Sequence, residues 1–144
     1  MEYFMINYSA SKKSMVVMAA AFAMALNSSS AVAGDMPEIQ HAGDIAYITG
    51  GIGDEERDAL RAVQHDYNLH ILSAGVKGAY VGDAHMVISD SHGQEVLSTD
   101  AGPIFYAKLP AGHYVVEEER HEQSKKQSIV IGADKPASIT FRWK

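Results

Sequence analysis

The sequence predicts an antiparallel β-sandwich of about seven strands with one short N-terminal helix, and three observations lead to this fold class. Apolar and polar residues alternate with a period of two from residue 68 onwards, which is the pattern of half-buried strands. Turn-forming residues interrupt this alternation about every ten positions, so the strands are short. Upstream of residue 68, one segment carries apolar residues at helical spacing instead.

Residues 1–33 have the features of a secretory signal peptide. Lys12 and Lys13 precede the apolar run 15–26, and Ala31-Val32-Ala33 offers small residues for cleavage. An apolar run of about a dozen residues is shorter than the roughly 20 that a helix needs to span a bilayer. We therefore expect cleavage after Ala33 and a periplasmic or secreted protein that begins at Gly34. A buried N-terminal helix is the alternative, and no other segment is apolar enough to span a membrane.

Residues 34–67 are expected to form a loose leader (Gly34–Gly43), a short strand (Asp44–Thr49) and a helix (Asp54–Asp66). Three acidic residues open the helix, where the positive end of the helix dipole favours them. Its apolar stripe is formed by Leu60, Val63 and Tyr67. A stripe this narrow indicates a helix that packs one side on a sheet.

Residues 68–144 are expected to form the sandwich itself. The cleanest strand is Asp83–Asp90, and 94–99 is expected to pair with it as a hairpin. The stretch Gly102–Val116 is expected to form two strands that reverse at Pro110–Gly112, because proline presets φ and glycine tolerates unusual φ values. A polar turn is expected at Gln123–Lys126. Inward-facing residues are expected to include Ala84, Met86, Ile88, Tyr114, Val116, Ile139, Phe141 and Trp143.

Composition excludes several classes of function. The chain has a formal net charge of −6 and contains no cysteine. An acidic surface opposes binding to nucleic acid and to anionic membranes. Without cysteine there are no disulfides, thiolate nucleophiles or thiolate zinc sites, so the core alone must stabilise one domain.

Part of the chain resembles a known family. The relevant residues are Asp83-Ala84, Met86, Ile88, Asp90 and Gly93, then Gly102-Pro103, then Leu109-Pro-Ala-Gly-His-Tyr114 and Val116. This pattern resembles the carboxypeptidase regulatory-like domains, over roughly residues 69–143. Gly50–Glu56 also resembles a segment of small exported bacterial proteins of this kind. The resemblance implies a seven-stranded transthyretin-like or Ig-like sandwich that acts as a non-catalytic accessory module.

The seven histidines are candidates for metal ligation, although none forms a compact His-x-x-x-His motif. His85 and His113 are both expected on outward strand faces, so they converge if their strands are neighbours. A Zn²⁺ or Cu²⁺ ion there would need a third ligand, for which Glu117 or Asp83 is available. Scattered surface histidines without a metal are the alternative.

The densest charge cluster contains Glu117, Glu118 and Glu119. It is either an acidic patch that binds a basic partner or a cation, or a solvated strand end that prevents edge-to-edge aggregation. Alternation would point Glu118 inward, which is costly for an unpaired charge, so the strand is expected to end near Val116–Glu117.

No Gly-x-Ser-x-Gly motif or aromatic-lined carboxylate pair points to catalysis, and we expect a protein that is not an enzyme. The expected function is an exported accessory or binding module for a protein or carbohydrate partner. Recognition is expected at loops at one end of the sandwich, namely Gly75–Gly82, Ser91–Glu95 and Ala101–Pro103, since loops vary without cost to the core. No cofactor is expected in such a module. The alternative is an exported metal-binding protein that uses His85 and His113 to hold Zn or Cu.

Overall fold

The computed structural model describes residues 36–144, and the expected signal peptide lies outside the described residues. Within this part of the chain, no helix is long and apolar enough to cross a membrane. One α-helix, α1 (Asp54–Val63), continues into a 3-10 turn (Gln64–Asp66). The nine strands of the described residues are β1 (Gln40–Ala42), β2 (Ile45–Gly50), β3 (Leu69–Gly75), β4 (Ala84–Asp90), β5 (Glu95–Ala101), β6 (Ile104–Ala107), β7 (Gly112–Arg120), β8 (Gln123–Ile131) and β9 (Ala137–Trp143).

The strands form two sheets, with the orders β1-β2-β6-β3-β9 and β5-β4-β7-β8. Paired strands are antiparallel except β3 and β9, which run parallel. The expected mainly-β class, with antiparallel sheets and one short helix, is therefore confirmed. Nine strands replace the expected seven partly because Gln40–Ala42, expected in a loose leader, pairs with β2. Backbone pairing of an edge strand needs no apolar period, so the sequence carried no signal for it.

The two sheets share one apolar core. It contains seven of the eight residues expected to face inward, and the eighth, Ala84, is also buried. A sheet residue reaches this core at every second position, because successive side chains point to opposite faces. Members from the five-stranded sheet include Leu69, Ile71, Phe105, Ile139 and Phe141, and members from the four-stranded sheet include Met86, Ile88, Leu97 and Val116.

The helix packs on the opposite face of the five-stranded sheet. Leu60 is its one fully buried residue, and it joins Ile48, Tyr67, Ile104 and Tyr106 in a second apolar cluster. The expected stripe is therefore confirmed, since Leu60 and Tyr67 are buried and Val63 packs against them. The expected helix end at Asp66 includes the 3-10 turn that follows α1.

The sequence predicts a hairpin that reverses at Pro110–Gly112, and this prediction is wrong. β6 lies between β2 and β3 in one sheet, whereas β7 lies between β4 and β8 in the other. The turn therefore carries the chain across the core. Asn68 fastens the crossing with two hydrogen bonds to the Leu109 backbone, at 2.7 and 2.8 Å. The same turn residues serve a hairpin and a crossing, so local sequence could not separate the two.

Two boundaries in the β7–β8 hairpin also differ from the predictions. β7 continues to Arg120 instead of ending near Val116–Glu117, and β8 begins at Gln123, inside the expected polar turn. The reversal is made by His121 and Glu122, both with positive φ, as a two-residue type I′ turn requires. Neither residue is the glycine or asparagine that usually marks such a turn, so the sequence did not predict its position.

Three loops meet at one end of the two-sheet body, and we call them the loop end: residues 50–53, 75–83 and 101–103. The pairing of Gly50 with Ile104 and of Ala84 with Ala101 places the strand ends together. Gly102 contacts the first loop so closely that a Cβ there would lie 2.7 Å from the Gly50 carbonyl oxygen. The loop end therefore depends on a glycine at this crossing.

Replacing Gly102 by alanine is expected to lower the free energy of unfolding by about 1–3 kcal/mol, because one of the two backbones must move. Gly132→Ala is the matched control, since its Cβ would meet nothing within 4 Å. Urea unfolding of both variants measures the difference. Equal stability of the two variants would contradict the close packing of the loop end.

Candidate functional site

Two arginines of α1 hold the loop end together. Arg57 Nη1 donates to the carbonyl oxygens of Gly51 and Ile52, at 3.0 and 2.8 Å. The same guanidinium lies over the Tyr80 ring, 4.4 Å from its centroid. Arg61 donates to the Tyr80 hydroxyl at 3.0 Å. One helix therefore positions both the glycine-rich loop and the loop that carries Tyr80.

The glycine-rich loop is closed by a carboxylate of the same helix. The Gly51 N–H donates to Glu56 Oε1 at 2.5 Å. A backbone N–H that already binds a carboxylate does not face an external anion. The Gly51 N–H is therefore not available to a phosphate, and the loop serves as the entry to the helix.

The loop of residues 75–83 is ordered by its own backbone. The Gly75 N–H donates to the Ala79 carbonyl at 2.7 Å, and the Gly78 N–H donates to the Gly75 carbonyl at 3.0 Å. Gly78 adopts the left-handed region with φ 78°, as the reversal requires. This turn projects Val76 and Lys77 from the end of β3.

Three large apolar side chains of the loop end remain exposed. Ile52 and Val76 are each 70% exposed, and Tyr80 is 40% exposed. Pro37 packs beside Gly50, and its neighbour in sequence, Met36, is also exposed. Apolar groups on ordered loops are a common feature of recognition surfaces.

The structure separates the loops that the sequence had grouped. Gly75–Gly82 and Ala101–Pro103 both belong to the loop end, as expected. Ser91–Glu95 joins the far ends of β4 and β5, because β4 begins beside Ala101 and runs away from it. The residues 50–53 take its place, and a glycine-rich sequence alone did not indicate that neighbour.

His85 and His113 lie on neighbouring strands, as a shared metal site would need, but far apart along them. His85 lies opposite Glu119, so His113 is six residues away along β7, or about 20 Å. His85 Nδ1 and Nε2 already contact Asp100 and Ser98, each at 2.9 Å. In the described residues, no group of three histidine or acidic side chains is arranged to hold a metal ion. The two histidines therefore do not form one site.

The contacts of His85 have the connectivity of a Ser-His-Asp triad. Ser98 Oγ, the imidazole and Asp100 Oδ1 follow one another on the open face of the four-stranded sheet. The Asp100 side chain is 96% exposed, and Ser98 does not line the neighbouring cavity of about 380 Å³. Nucleophilic catalysis depends on charge stabilisation in a site that excludes water. The arrangement is better explained as cross-strand hydrogen bonding.

The three glutamates of the predicted acidic patch do not share one surface. Glu119 is exposed, and Glu117 lies in the same outward row. Glu117 accepts a hydrogen bond from Ser124 at 2.5 Å, and its carboxylate lies 3.4 Å from Lys126 Nζ. The bond from Ser124 holds the pKa of the Glu117 carboxyl below its ordinary value. Glu118 is fully buried and cannot contact a partner at the surface.

Glu118 is buried because the opposite sheet supplies its hydrogen bonds. Ser73 Oγ of β3 lies 2.6 and 2.8 Å from the two carboxyl oxygens, and Trp143 Nε1 of β9 donates to Oε1 at 2.9 Å. Burial raises the pKa of the Glu118 carboxyl, and the bonds from Ser73 and Trp143 and the charge of Arg120 only partly oppose this rise. The alternation had indicated an inward Glu118, but its partners are distant in sequence.

Comparisons with known proteins give no assignment for this arrangement. No protein-family model matches the chain, and a search of the curated proteins finds no match. The resemblance to carboxypeptidase regulatory-like domains therefore stays a prediction.

Replacing Ser73 by alanine is expected to lower the free energy of unfolding by about 1–3 kcal/mol, because a buried carboxyl oxygen loses its partner. Ser124→Ala is the matched control, since Ser124 bonds Glu117, which is not buried. Its replacement should change the free energy of unfolding by less than about 0.5 kcal/mol. Chemical denaturation of both variants gives the comparison. A loss in Ser124→Ala as large as that in Ser73→Ala would show that burial of Glu118 is not what makes Ser73 important.

Proposed function

We propose that this chain is an exported, non-catalytic binding module that recognises a protein partner through the loop end. The observation that supports this proposal best is the exposure of Ile52, Val76 and Tyr80 on loops that are held in place by Arg57 and Arg61. The core does not need these side chains, since they lie outside both apolar clusters.

The order of the loops favours recognition. A flexible loop loses conformational entropy when it binds, whereas a fastened loop has already lost much of it. Arg57 donates hydrogen bonds to two loop carbonyls. Tyr80 is held by Arg57 against its ring face and by Arg61 at its hydroxyl. A partner would therefore meet a preformed surface.

The charges around the apolar residues point to a protein partner. Arg57 pairs with Asp54 and Arg61 pairs with Asp58, so both signs surround the apolar residues. Mixed charge around an apolar centre is the usual composition of a protein interface. A nucleic acid would need a mainly basic surface instead. A carbohydrate partner, which the sequence left open, would use Tyr80 alone as its aromatic platform among these three side chains.

The finer fold assignment belongs to the same proposal. We assign the two sheets and their common core to a transthyretin-like β-sandwich, the fold implied by the resemblance to carboxypeptidase regulatory-like domains. Two packed antiparallel-rich sheets support it. The parallel β3–β9 pair and the additional strand β1 distinguish this chain from a purely antiparallel, seven-stranded sandwich.

The double variant Ile52→Ser/Val76→Ser is expected to lose partner binding at least about tenfold, because burial of one aliphatic side chain contributes about 1.5–3 kcal/mol. The measurement is capture from the exported-protein fraction of the source cells, quantified by mass spectrometry, followed by titration of the captured protein. Val130→Ser is the matched control, since Val130 is 59% exposed on β8, away from the loop end.

Three outcomes bear on this proposal. A partner captured by the unmodified chain and by Val130→Ser, but not by the double variant, supports it. Equal capture by all three chains, or binding to a carbohydrate array in place of a protein, overturns it. Thermal unfolding should be nearly equal in all three chains, because each substituted side chain is exposed.

A further inference from the structure

The contacts that reach the Glu118 carboxyl outnumber the protons that its neighbours supply. Three contacts reach the carboxyl group: two from Ser73 Oγ, at 2.6 and 2.8 Å, and one from Trp143 Nε1, at 2.9 Å. A serine hydroxyl carries one proton and an indole N–H carries one, so two protons serve three contacts. A proton on Glu118 itself completes the set, because the carboxyl O–H then donates to Ser73 Oγ while the serine hydroxyl donates to the other oxygen.

The residue that shares this proton also fastens the loop end. The Ser73 N–H donates to the Pro103 carbonyl at 2.8 Å, and the Ser73 carbonyl accepts from the Val81 N–H at 3.1 Å. Through these bonds Ser73 holds two of the three loops. A change in how Glu118 holds the Ser73 side chain therefore reaches the loops through one residue.

Arg120 makes a second connection between Glu118 and the loop end. It lies two residues further along β7, and its Nε donates to the Gly82 carbonyl at 3.2 Å. Its charge acts on Glu118, where it favours the ionised form. An ionised Glu118 attracts this guanidinium and competes with Gly82 for it.

The other elements beside Glu118 bring few charges. β3 contributes Ser73 and β9 contributes Trp143, both neutral, and the residue opposite on β4 is Met86. The residue opposite on β8 is Lys125, whose Nζ lies 5.2 Å from the Trp143 ring centroid and donates to the Arg142 carbonyl. Among the described residues, Arg120 is thus the cation whose charge acts on an ionised Glu118, whereas Lys125 lies against the Trp143 ring.

We propose that protonation of Glu118 regulates the loop end: the neutral acid keeps Ser73 and Arg120 in their loop-holding positions, and ionisation releases the loop of residues 75–83. This inference rests on the proposed function of the loop end in recognition, although the regulated loop itself is a property of the free chain. Binding of a partner that requires the ordered loop would weaken as the pH rises.

The direction of the pH dependence follows from linkage. Burial raises the pKa of Glu118 above its value of about 4.3 in the unfolded chain. The folded state therefore binds the proton more tightly than the unfolded state, and stability falls with rising pH between the two values. This contribution is fully present below about pH 4.3 and is lost as the pH rises through the folded-state pKa.

The test compares the unmodified chain with Glu118→Gln across pH 4 to 9. Glutamine is neutral at every pH, and its amide can donate to Ser73 Oγ while its carbonyl accepts from Trp143. Glu119→Gln is the matched control, because it removes one carboxylate from the adjacent, exposed position. The local measurement is hydrogen exchange at the Val81 amide, expressed as a protection factor so that the intrinsic pH dependence cancels.

We expect the Val81 protection factor to fall about fivefold as Glu118 ionises in the unmodified chain and in Glu119→Gln, which is the change that corresponds to the loss of one hydrogen bond of about 1 kcal/mol net. We expect no such fall in Glu118→Gln. A fall of the same size in Glu118→Gln, or a constant protection factor in all chains, overturns the proposal.

A second measurement keeps the test decisive if Glu118→Gln does not fold. The carboxyl carbon resonance of Glu118 in the unmodified chain should titrate with a pKa above the ordinary glutamate value of about 4.3, and the Val81 amide should shift with the same midpoint. A Glu118 carboxyl with a pKa at or below the ordinary value, or a Val81 amide whose chemical shift does not change as Glu118 titrates, overturns the proposal. These readouts need no partner, so their failure is distinct from a failure of the capture experiment.

Discussion

The apolar core between the two sheets is the constraint on which the rest of the structure depends. β4 and β7 reach it with alternate side chains, β5 and β8 add Leu97, Ala101 and Ile131, and the chain crosses it at Pro110–Gly112. One carboxyl group, that of Glu118, lies in this region with full burial. A buried carboxyl is tolerated only where hydrogen bonds replace water, and here both donors come from the opposite sheet. The position of Glu118 is thus decided by how the sheets meet.

The same contact joins the interior to the surface where recognition is proposed. Ser73 bonds the buried carboxyl with its side chain and two loops with its backbone. The helix adds a separate support from outside, because Arg57 and Arg61 hold the loops by their carbonyls and by Tyr80. An ordered apolar surface at one end of the body is the combined result. The outer face of the four-stranded sheet, with His85 and Asp100, has hydrogen-bonded side chains but no comparable enclosure.

The sequence predicted most of the regular structure because that structure depends on local periodicity. The strand expected at Asp83–Asp90 is present as Ala84–Asp90, and the expected stripe of α1 is present too, because both follow from local spacings of two and of three to four. The pairing partner of a strand is not local information. β6 and β7 were therefore expected to form a hairpin, although they belong to different sheets. For the same reason, His85 and His113 were expected to converge but lie about 20 Å apart along their strands.

The sequence by itself determined the mainly-β class, the short helix, the inward residues and two of the three loops of the loop end. The tertiary structure alone decided that Glu118 is buried, that Ser73 and Trp143 are its partners, and that residues 50–53 complete the loop end. The physical reason is the range of the interactions. Alternation and turn propensity act over a few residues, whereas a buried carboxyl is satisfied by side chains from strands that only folding brings together.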